Sequence, residues 1–327
     1  MSKILLVTVG GSHHPIITAI KEIKPDRVVY VCSDGSKGSK SQVIEEGTPC
    51  EVRRGTEVIE RLPNIPKQVE LDEPFQADRD LVLIQEPDDL SECYLQATSC
   101  IQKIQQEFPN AQIMADYTGG TKSMSIGLSM AAIDYQIILY VTTALRTNII
   151  KVDRGELTGQ AMVAPIIAQR TIDQFLPIFL QQYNYPAANA QLKRLLSSMS
   201  LSSEIRRKIQ TLYTYCSGLD AWDRFEHIQA LSLLESQMKN PAIKEIVLFL
   251  KRVIYSRGQI DADYDTGDNS IKGHGYEIVQ DLILNAQRRA AQERYDDAVG
   301  RLYRALELLA QIRLWTAYGL KTGDIDI

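Results

Sequence analysis

Apolar residues in the first half of the chain fall into short runs separated by segments of helical periodicity. Ile4 to Val9 is an almost unbroken Leu/Ile/Val run, the pattern of a strand buried on both faces. Pro15 to Ile23 follows, with Ile16, Ile17, Ile20 and Ile23 at helical spacing. Arg27 to Cys32 (RVVYVC) reads as a second strand and Leu81 to Ile84 as a third. Ser91 to Phe108 is expected to be a helix, with Leu95, Cys100, Ile101, Ile104 and Phe108 apolar. Ala111 to Ala115 is a short strand, Met124 to Ile133 a helix rich in Ser, Gly and Ala, and Gln136 to Thr142 another strand. Such β-α alternation predicts a mainly parallel, Rossmann-like sheet with helices on both faces. Residues 148–153 and 160–163 read as a hairpin around Arg154-Gly155-Glu156.

Beyond about residue 170 the strand-like runs stop. Helical periodicity marks Ile172–Tyr183, Ala188–Met199, Glu204–Tyr215, Ala230–Met238, Ala242–Tyr255, Tyr276–Gln292 and Asp296–Tyr318. In the last of these, Ala298, Leu302, Ala305, Leu306, Leu309 and Ile312 form one stripe that is expected to be buried, with Asp296 or Asp297 as cap. Gln259 to Gly275 is polar and Gly/Asp-rich and reads as a loop. Two domains are expected, an α/β domain over 1–170 and an all-α domain over 171–327, in line with roughly 150 residues per domain.

Composition narrows the function classes. The chain has 327 residues and a formal net charge of −5. Residues 1–170 hold 17 Lys/Arg and 22 Asp/Glu, a difference of −5, and the remainder holds 19 of each. Neither half is a basic platform for long nucleic acid, whose binding rests on many phosphate contacts. A small anion can still bind through local backbone dipoles. No run approaches the ~18 apolar residues of a membrane helix, and the start of the chain lacks a secretory signal. Five cysteines without a C-x-x-C pair read as reduced thiols of a cytoplasmic protein.

Two loops offer phosphate-binding chemistry. Val9-Gly10-Gly11-Ser12-His13-His14-Pro15 follows the first strand. In open α/β sheets ligands bind beyond the carboxyl ends of the strands. Glycines let backbone approach a ligand closely. Pro15 suits a first helical turn, whose free amides favour an anion. A charged imidazole at His13 or His14 is disfavoured by the helix dipole, whereas a neutral one can act as donor or base. The second loop, Asp116-Tyr117-Thr118-Gly119-Gly120-Thr121-Lys122-Ser123-Met124, brings hydroxyls, two glycines and one ammonium to another strand-to-helix junction. It is not a Walker loop, because Thr121 separates Gly120 from Lys122, and the dinucleotide fingerprint G-x-G-x-x-G is missing. Asp116 reads as a turn-capping carboxylate. Asp261, Asp263, Asp265 and Asp268 lack the glycine and closing glutamate of a calcium loop, and His227 and His274 have no metal-ligand spacing. No metal or cofactor is expected. Arg301 and Arg304 read as surface or interface cations.

The pair VGGS and DYTGGTKSMS, in a small α/β domain followed by helices, resembles the CARF domains of type III CRISPR ancillary proteins. Met1–Thr18 and AVGRLYRALELLAQIRL (Ala298–Leu314) resemble the Cas02710 family more narrowly. The resemblance implies a homodimer that binds cyclic tetra- or hexa-adenylate in a two-fold cleft, in antiviral defence. By that match Gly10, Gly11, Ser12 and His13 line the cleft with Thr118, Gly119, Gly120, Thr121, Lys122 and Ser123, and Ser33-Asp34-Gly35-Ser36 forms a third wall. It also implies a C-terminal effector, often a HEPN ribonuclease. HEPN ribonucleases use R-x(4–6)-H, and none of the four histidines here has an arginine at that spacing; Arg224 to His227 is too short. General HEPN-type cutting of RNA is therefore not expected. The end of the chain, just after a long helix, leaves room for a missing effector. Three readings follow from the resemblance. One is a ring nuclease, in which positioning aligns a ribose 2′-hydroxyl with the neighbouring phosphorus and Lys122 and Ser12 assist. The others are a pure sensor for an effector outside this chain and an oligoadenylate-responsive transcription regulator.

Overall fold

The computed structural model describes residues 2–35, 38–54, 56–144, 156–197, 201–261, 264 and 270–320. They form two compact units, Met1–Val163 and Ala164–Ile327.

The first unit runs β1 (Lys3–Thr8), α1 (His14–Ile23), β2 (Arg27–Ser33), α2 (Ser41–Ile44), β3 (Cys50–Arg54), β4 (Glu57–Leu62), α3 (Ala77–Asp80), β5 (Leu81–Ile84), α4 (Leu90–Glu107), β6 (Gln112–Asp116), α5 (Lys122–Asp134), β7 (Ile138–Ala144) and β8 (Glu156–Gln160). The main sheet has the order β5-β2-β1-β6-β7-β8. All its pairings are parallel except β7 with β8, and β3–β4 is a separate antiparallel pair. Strand alternation explains the layers. Ile4, Leu6 and Val29 face Ala97, Ile101 and Ile104 of α4 and Leu128 and Ala131 of α5. Leu5, Val7, Val28 and Tyr30 face the other way, onto Ile16 and Ile20 of α1.

Several expectations change. The antiparallel partner of Glu156–Gln160 is β7, in register Val141 to Gly159, because an edge strand with unpaired amides is the nearest ladder. The segment 148–153 expected to form that hairpin, with Arg154 and Gly155, lies outside the described residues. The β3–β4 hairpin and α2 were not anticipated, since charged residues such as Glu51, Arg53 and Glu57 break the apolar alternation.

The second unit is helical: α6 (Ala164–Arg170), a π turn (Thr171–Phe175), α7 (Leu176–Gln181), α8 (Tyr185–Leu196), α9 (Ser203–Asp223), α10 (His227–Leu234), α11 (Pro241–Ile260), α12 (Glu277–Ala291) and α13 (Tyr295–Tyr318). Its core falls into three clusters: α6 to α9, then α9 to α11, then α11 to α13. Arg294 rather than Asp296 or Asp297 occupies the N-cap of α13, and the two aspartates sit in its first turn. The expected stripe on α13 also divides. Ala298, Ala305, Leu308 and Ile312 are buried, while Leu302, Leu306 and Leu309 are 46%, 67% and 44% exposed. Of the buried set, Ala305, Leu308 and Ile312 pack with Ile278, Val279 and Leu282. Asp263, Asp265 and Asp268 lie outside the described residues. No described helix is long and apolar enough to cross a membrane.

A buried ion pair pins the edge of the first unit. Arg27 donates to Asp80 at 2.7 Å, with both side chains almost fully buried. Arg79 and the Gln76 amide also donate to Asp80. Burial alone would raise the Asp80 carboxyl, but these donors outweigh it and hold it below the usual range. Because its folded pKa is depressed, Asp80 stabilises the fold above its unfolded pKa near ~3.9 and loses that contribution as pH falls through the lower folded value. Asp80→Asn leaves Arg27 buried without its counter-charge. The expected loss at neutral pH is about 3–5 kcal/mol, measured by urea unfolding.

Candidate functional site

Strand order reverses direction at β1, which pairs with β2 on one side and β6 on the other. That topological switch point is where open α/β sheets bind ligands. It brings the loop after β1 against the loop after β6, and the contact is backbone on backbone. A Cβ on Gly119 would lie 2.2 Å from the Thr8 carbonyl oxygen, and one on Gly10 would lie 2.6 Å from the Gly120 amide nitrogen. Only glycine fits either position. Gly120 also has φ +82°, a conformation side chains rarely adopt. The Thr8 hydroxyl donates to the Gly119 carbonyl at 2.7 Å, and Ser125 donates to the same oxygen at 2.8 Å.

The two loops end in helix starts. Thr121 caps α5, its hydroxyl accepting from the Met124 amide. Lys122 opens that helix and is exposed. The amides of this first turn have no intrahelical acceptor and point toward the crevice end of the sheet. Across the junction Gly11 and Ser12 are exposed, whereas His13 is only 4% exposed at the start of α1. His14 is exposed.

Most hydroxyls expected to meet a ligand have structural partners. Thr118 Oγ1 accepts from the Thr142 amide at 2.7 Å. Thr121 donates to the Pro87 carbonyl, and Ser123 donates to the Asp88 carbonyl at 2.9 Å. Ser33 exchanges hydrogen bonds with Ser39, each amide donating to the other hydroxyl, so it closes its own loop. Groups left presented to solvent are the exposed Gly11 and Ser12 on one side and Lys122 on the other. Ser36 of the expected third wall lies outside the described residues.

Gln42, Pro87 and Asp88 escaped the sequence reading. Gln42 on α2 donates to the Gly10 carbonyl at 2.6 Å and fixes the first loop from above. Pro87 and Asp88 receive Thr121 and Ser123, so the segment before α4 borders the second loop. Asp34 gathers Lys40, the Gly35 amide and Gln85, whose donated hydrogen bonds hold its carboxyl down at about 2. Asp116 is buried. Burial pushes its carboxyl upward, while Thr118 and Thr142 pull it down. Its Oδ1 accepts from the Thr118 amide at 2.9 Å, so it closes the turn, as expected. No local motif announces Gln42, because its role depends on a chain excursion that returns over β1.

In the helical unit His227 is buried with Nε2 2.8 Å from Asp281 Oδ2, and Trp222 Nε1 donates to Asp281 Oδ1 at 2.7 Å. Arg301, expected as a surface or interface cation, is half-buried, donates to Asn285 at 3.2 Å and covers the Phe225 ring. Arg304 is exposed and pairs with Glu307.

The glycine junction predicts a contrast between neighbours. Gly119→Ala must displace the Thr8 carbonyl and is expected to cost about 1–3 kcal/mol of stability. Gly11→Ala meets nothing within 4 Å and is expected to change stability by less than ~0.5 kcal/mol. Thermal or urea unfolding of the two variants checks this.

Comparison with known proteins adds one family match. Residues 268–327 match a family model, Cas_Cas02710, described as the Csm6 HEPN domain. No curated protein matches the chain. Among solved structures, Enterococcus italicus Csm6 bound to cyclic hexa-2'-fluoro-hexa-dAMP aligns over 98% of this chain and 88% of that chain, with 14% identity and a TM-score of 0.44. The resemblance to the Cas02710 family read from the last helix thus holds over residues 268–327, which are similar to the HEPN domain of Csm6.

Proposed function

We propose that the chain is a receptor for cyclic oligoadenylate in type III CRISPR antiviral defence, with residues 1–170 as a CARF-type sensor and the helical domain as its responding part. The observation that carries this reading is the glycine junction at the switch point. It joins two loops that present backbone amides, exposed Gly11 and Ser12, and the exposed Lys122 at one end of a parallel sheet. Phosphodiesters need such donors, and helix starts favour them. The match of residues 268–327 to the Csm6 HEPN domain supports the same reading from the other half of the chain.

The receptor acts as a homodimer through its sensor domain, because a cyclic symmetric ligand suits a cleft on a two-fold axis. Light scattering at micromolar concentration is expected to give the dimer mass with or without ligand, and a monomer overturns this part. Lys122 provides a charge-assisted bond to phosphate, and Gly10, Gly11 and Gly120 let backbone approach the ring. Thr118, Thr121, Ser123 and Ser33 hold the walls.

Cleavage of the ring is a second reading, favoured by the exposure of both Ser12 and Lys122 at helix starts. In that reaction a ribose 2′-hydroxyl attacks the adjacent phosphorus and the 5′-oxygen departs, giving a linear oligoadenylate with a 2′,3′-cyclic phosphate. Incubation with cyclic tetra- and hexa-adenylate without added metal, followed by chromatography, separates retention from cleavage. The test of the site itself is Lys122→Ala. A charge-assisted hydrogen bond contributes roughly 1.5–3 kcal/mol, so affinity or turnover is expected to fall about ten-fold to a hundred-fold. The melting temperature is expected to stay within about a degree or two. Unchanged affinity removes Lys122 from the site, and no binding of either ring by the wild-type chain overturns the receptor reading.

A further inference from the structure

Gln42 is held in a way that packing alone does not require. Its Nε2 donates to the Gly10 carbonyl at 2.6 Å. The amide must sit this way round, because the reverse would set two acceptor oxygens against each other. The other end of the same amide, Oε1, is buried and accepts no hydrogen bond among the described residues. An unpaired buried acceptor costs stability. A side chain kept only for the fold at this position would be apolar or paired at both ends. The backbone that carries Gln42 is anchored independently of that side chain. Val43 is fully buried in the same core cluster as Val9 and Ile16. The Cys50 thiol donates to the Gln42 carbonyl at 3.8 Å, and Asn64 donates to the Glu45 carbonyl at 3.0 Å. α2 is thus a fixed post, and its Gln42 side chain reaches from it to the first glycine loop.

Holding a carbonyl also aims an amide. The Gly10 C=O and the Gly11 N–H belong to one planar trans peptide, in which they point in opposite directions. With the carbonyl turned to α2, the Gly11 N–H is turned away from α2, and Gly11 is exposed. Gly10 itself is clamped, its Cα side lying against the Gly120 backbone. The next peptide has a glycine on each side. Glycine adopts either sign of φ readily, so the sequence by itself leaves this peptide free to flip. A flip would present the Gly10 oxygen where the Gly11 N–H stands. A phosphate oxygen meets a donor in the first orientation and an acceptor in the second. We infer that Gln42 is a positioning residue for the ligand: it keeps the Gly10–Gly11 peptide turned so that the Gly11 amide donates to a phosphate oxygen. This inference rests on the receptor reading and deepens it, since it names the donor that the first loop offers and the side chain that sets its direction.

Gln42→Met and Gln42→Glu in the full chain test it, read as affinity for cyclic hexa- and tetra-adenylate together with melting temperature. Methionine has a similar length, cannot donate, and removes the orphaned oxygen. Its affinity is expected to fall about ten-fold at pH 7.5, the worth of one phosphate hydrogen bond. Its melting temperature is expected to stay within about three degrees of wild type or to rise. Glutamate keeps the shape of glutamine, but its carboxylate cannot donate to a carbonyl, whereas the protonated acid can. Burial raises such a carboxyl above its usual ~4.3, so the donor form returns as pH falls. The glutamate variant is expected about ten-fold below wild type at pH 7.5 and within about three-fold at pH 5, each compared at the same pH. The methionine variant is expected to show no recovery, which separates a restored donor from a general effect of acid on the ligand. A tie that serves the fold alone gives the opposite split, a lower melting temperature with unchanged affinity. Methionine binding within about two-fold of wild type, a melting temperature lowered by more than about three degrees, or a glutamate variant that does not recover overturns the positioning role and leaves the receptor reading standing. A wild-type chain that binds neither ring overturns both.

Discussion

Two backbones touch where β1 and β6 end, and the architecture of the first unit follows from that contact. Thr8 donates its hydroxyl to the Gly119 carbonyl, and Gly119 leaves no room for a side chain against Thr8. With these backbones in contact, α1 and α5 begin at the same end of the sheet, on opposite faces. The neighbouring loops are then tied to the junction in turn. Gln42 holds Gly10 from α2, and Thr121 and Ser123 hold Pro87 and Asp88 ahead of α4. Each tie occupies a hydroxyl or amide within the protein. What remains for recognition is mostly backbone, which recognises phosphate well and base identity poorly.

The helical unit is organised by polar groups where α9 turns into α10. Asp223 receives Arg288, Arg289 and Asn285, and one turn away Asp281 receives Trp222 and His227. Asp281, Asn285 and Arg288 lie four and three residues apart, so α12 presents a polar stripe inward. Buried polar groups are tolerated only when paired. This cluster therefore fixes the rotation of α12, and through it the rotation of α13. It also explains why α13 buries Ala298 and Ala305 together with Leu308 and Ile312 and leaves Leu302 and Leu306 outside.

The parallel sheet was legible because Ile4 to Val9, Arg27 to Cys32 and Leu81 to Ile84 are apolar enough to need cover on both faces. The glycine loops were legible for the same reason, as each interrupts an apolar run at its carboxyl end. Less legible was what the hydroxyls do. Composition treats Thr118, Thr121 and Ser123 alike as free donors, whereas their partners Thr142, Pro87 and Asp88 come from distant segments. Gln42 was invisible because nothing local distinguishes it from any surface glutamine. The split of the α13 stripe was invisible as well. Periodicity shows that a helix has apolar faces, but only the position of α12 decides which one is covered.

The central claim is that the crevice at the glycine junction receives an oligoadenylate phosphate. Amide hydrogen exchange of the full chain with and without cyclic hexa-adenylate, repeated with cyclic tetra-adenylate, tests it most directly. Slowed exchange is expected across residues 10–14 and 118–124, where helix-start amides become hydrogen-bonded, with at least one of the two rings. Binding that leaves both segments unchanged, with protection elsewhere in the chain, would contradict it.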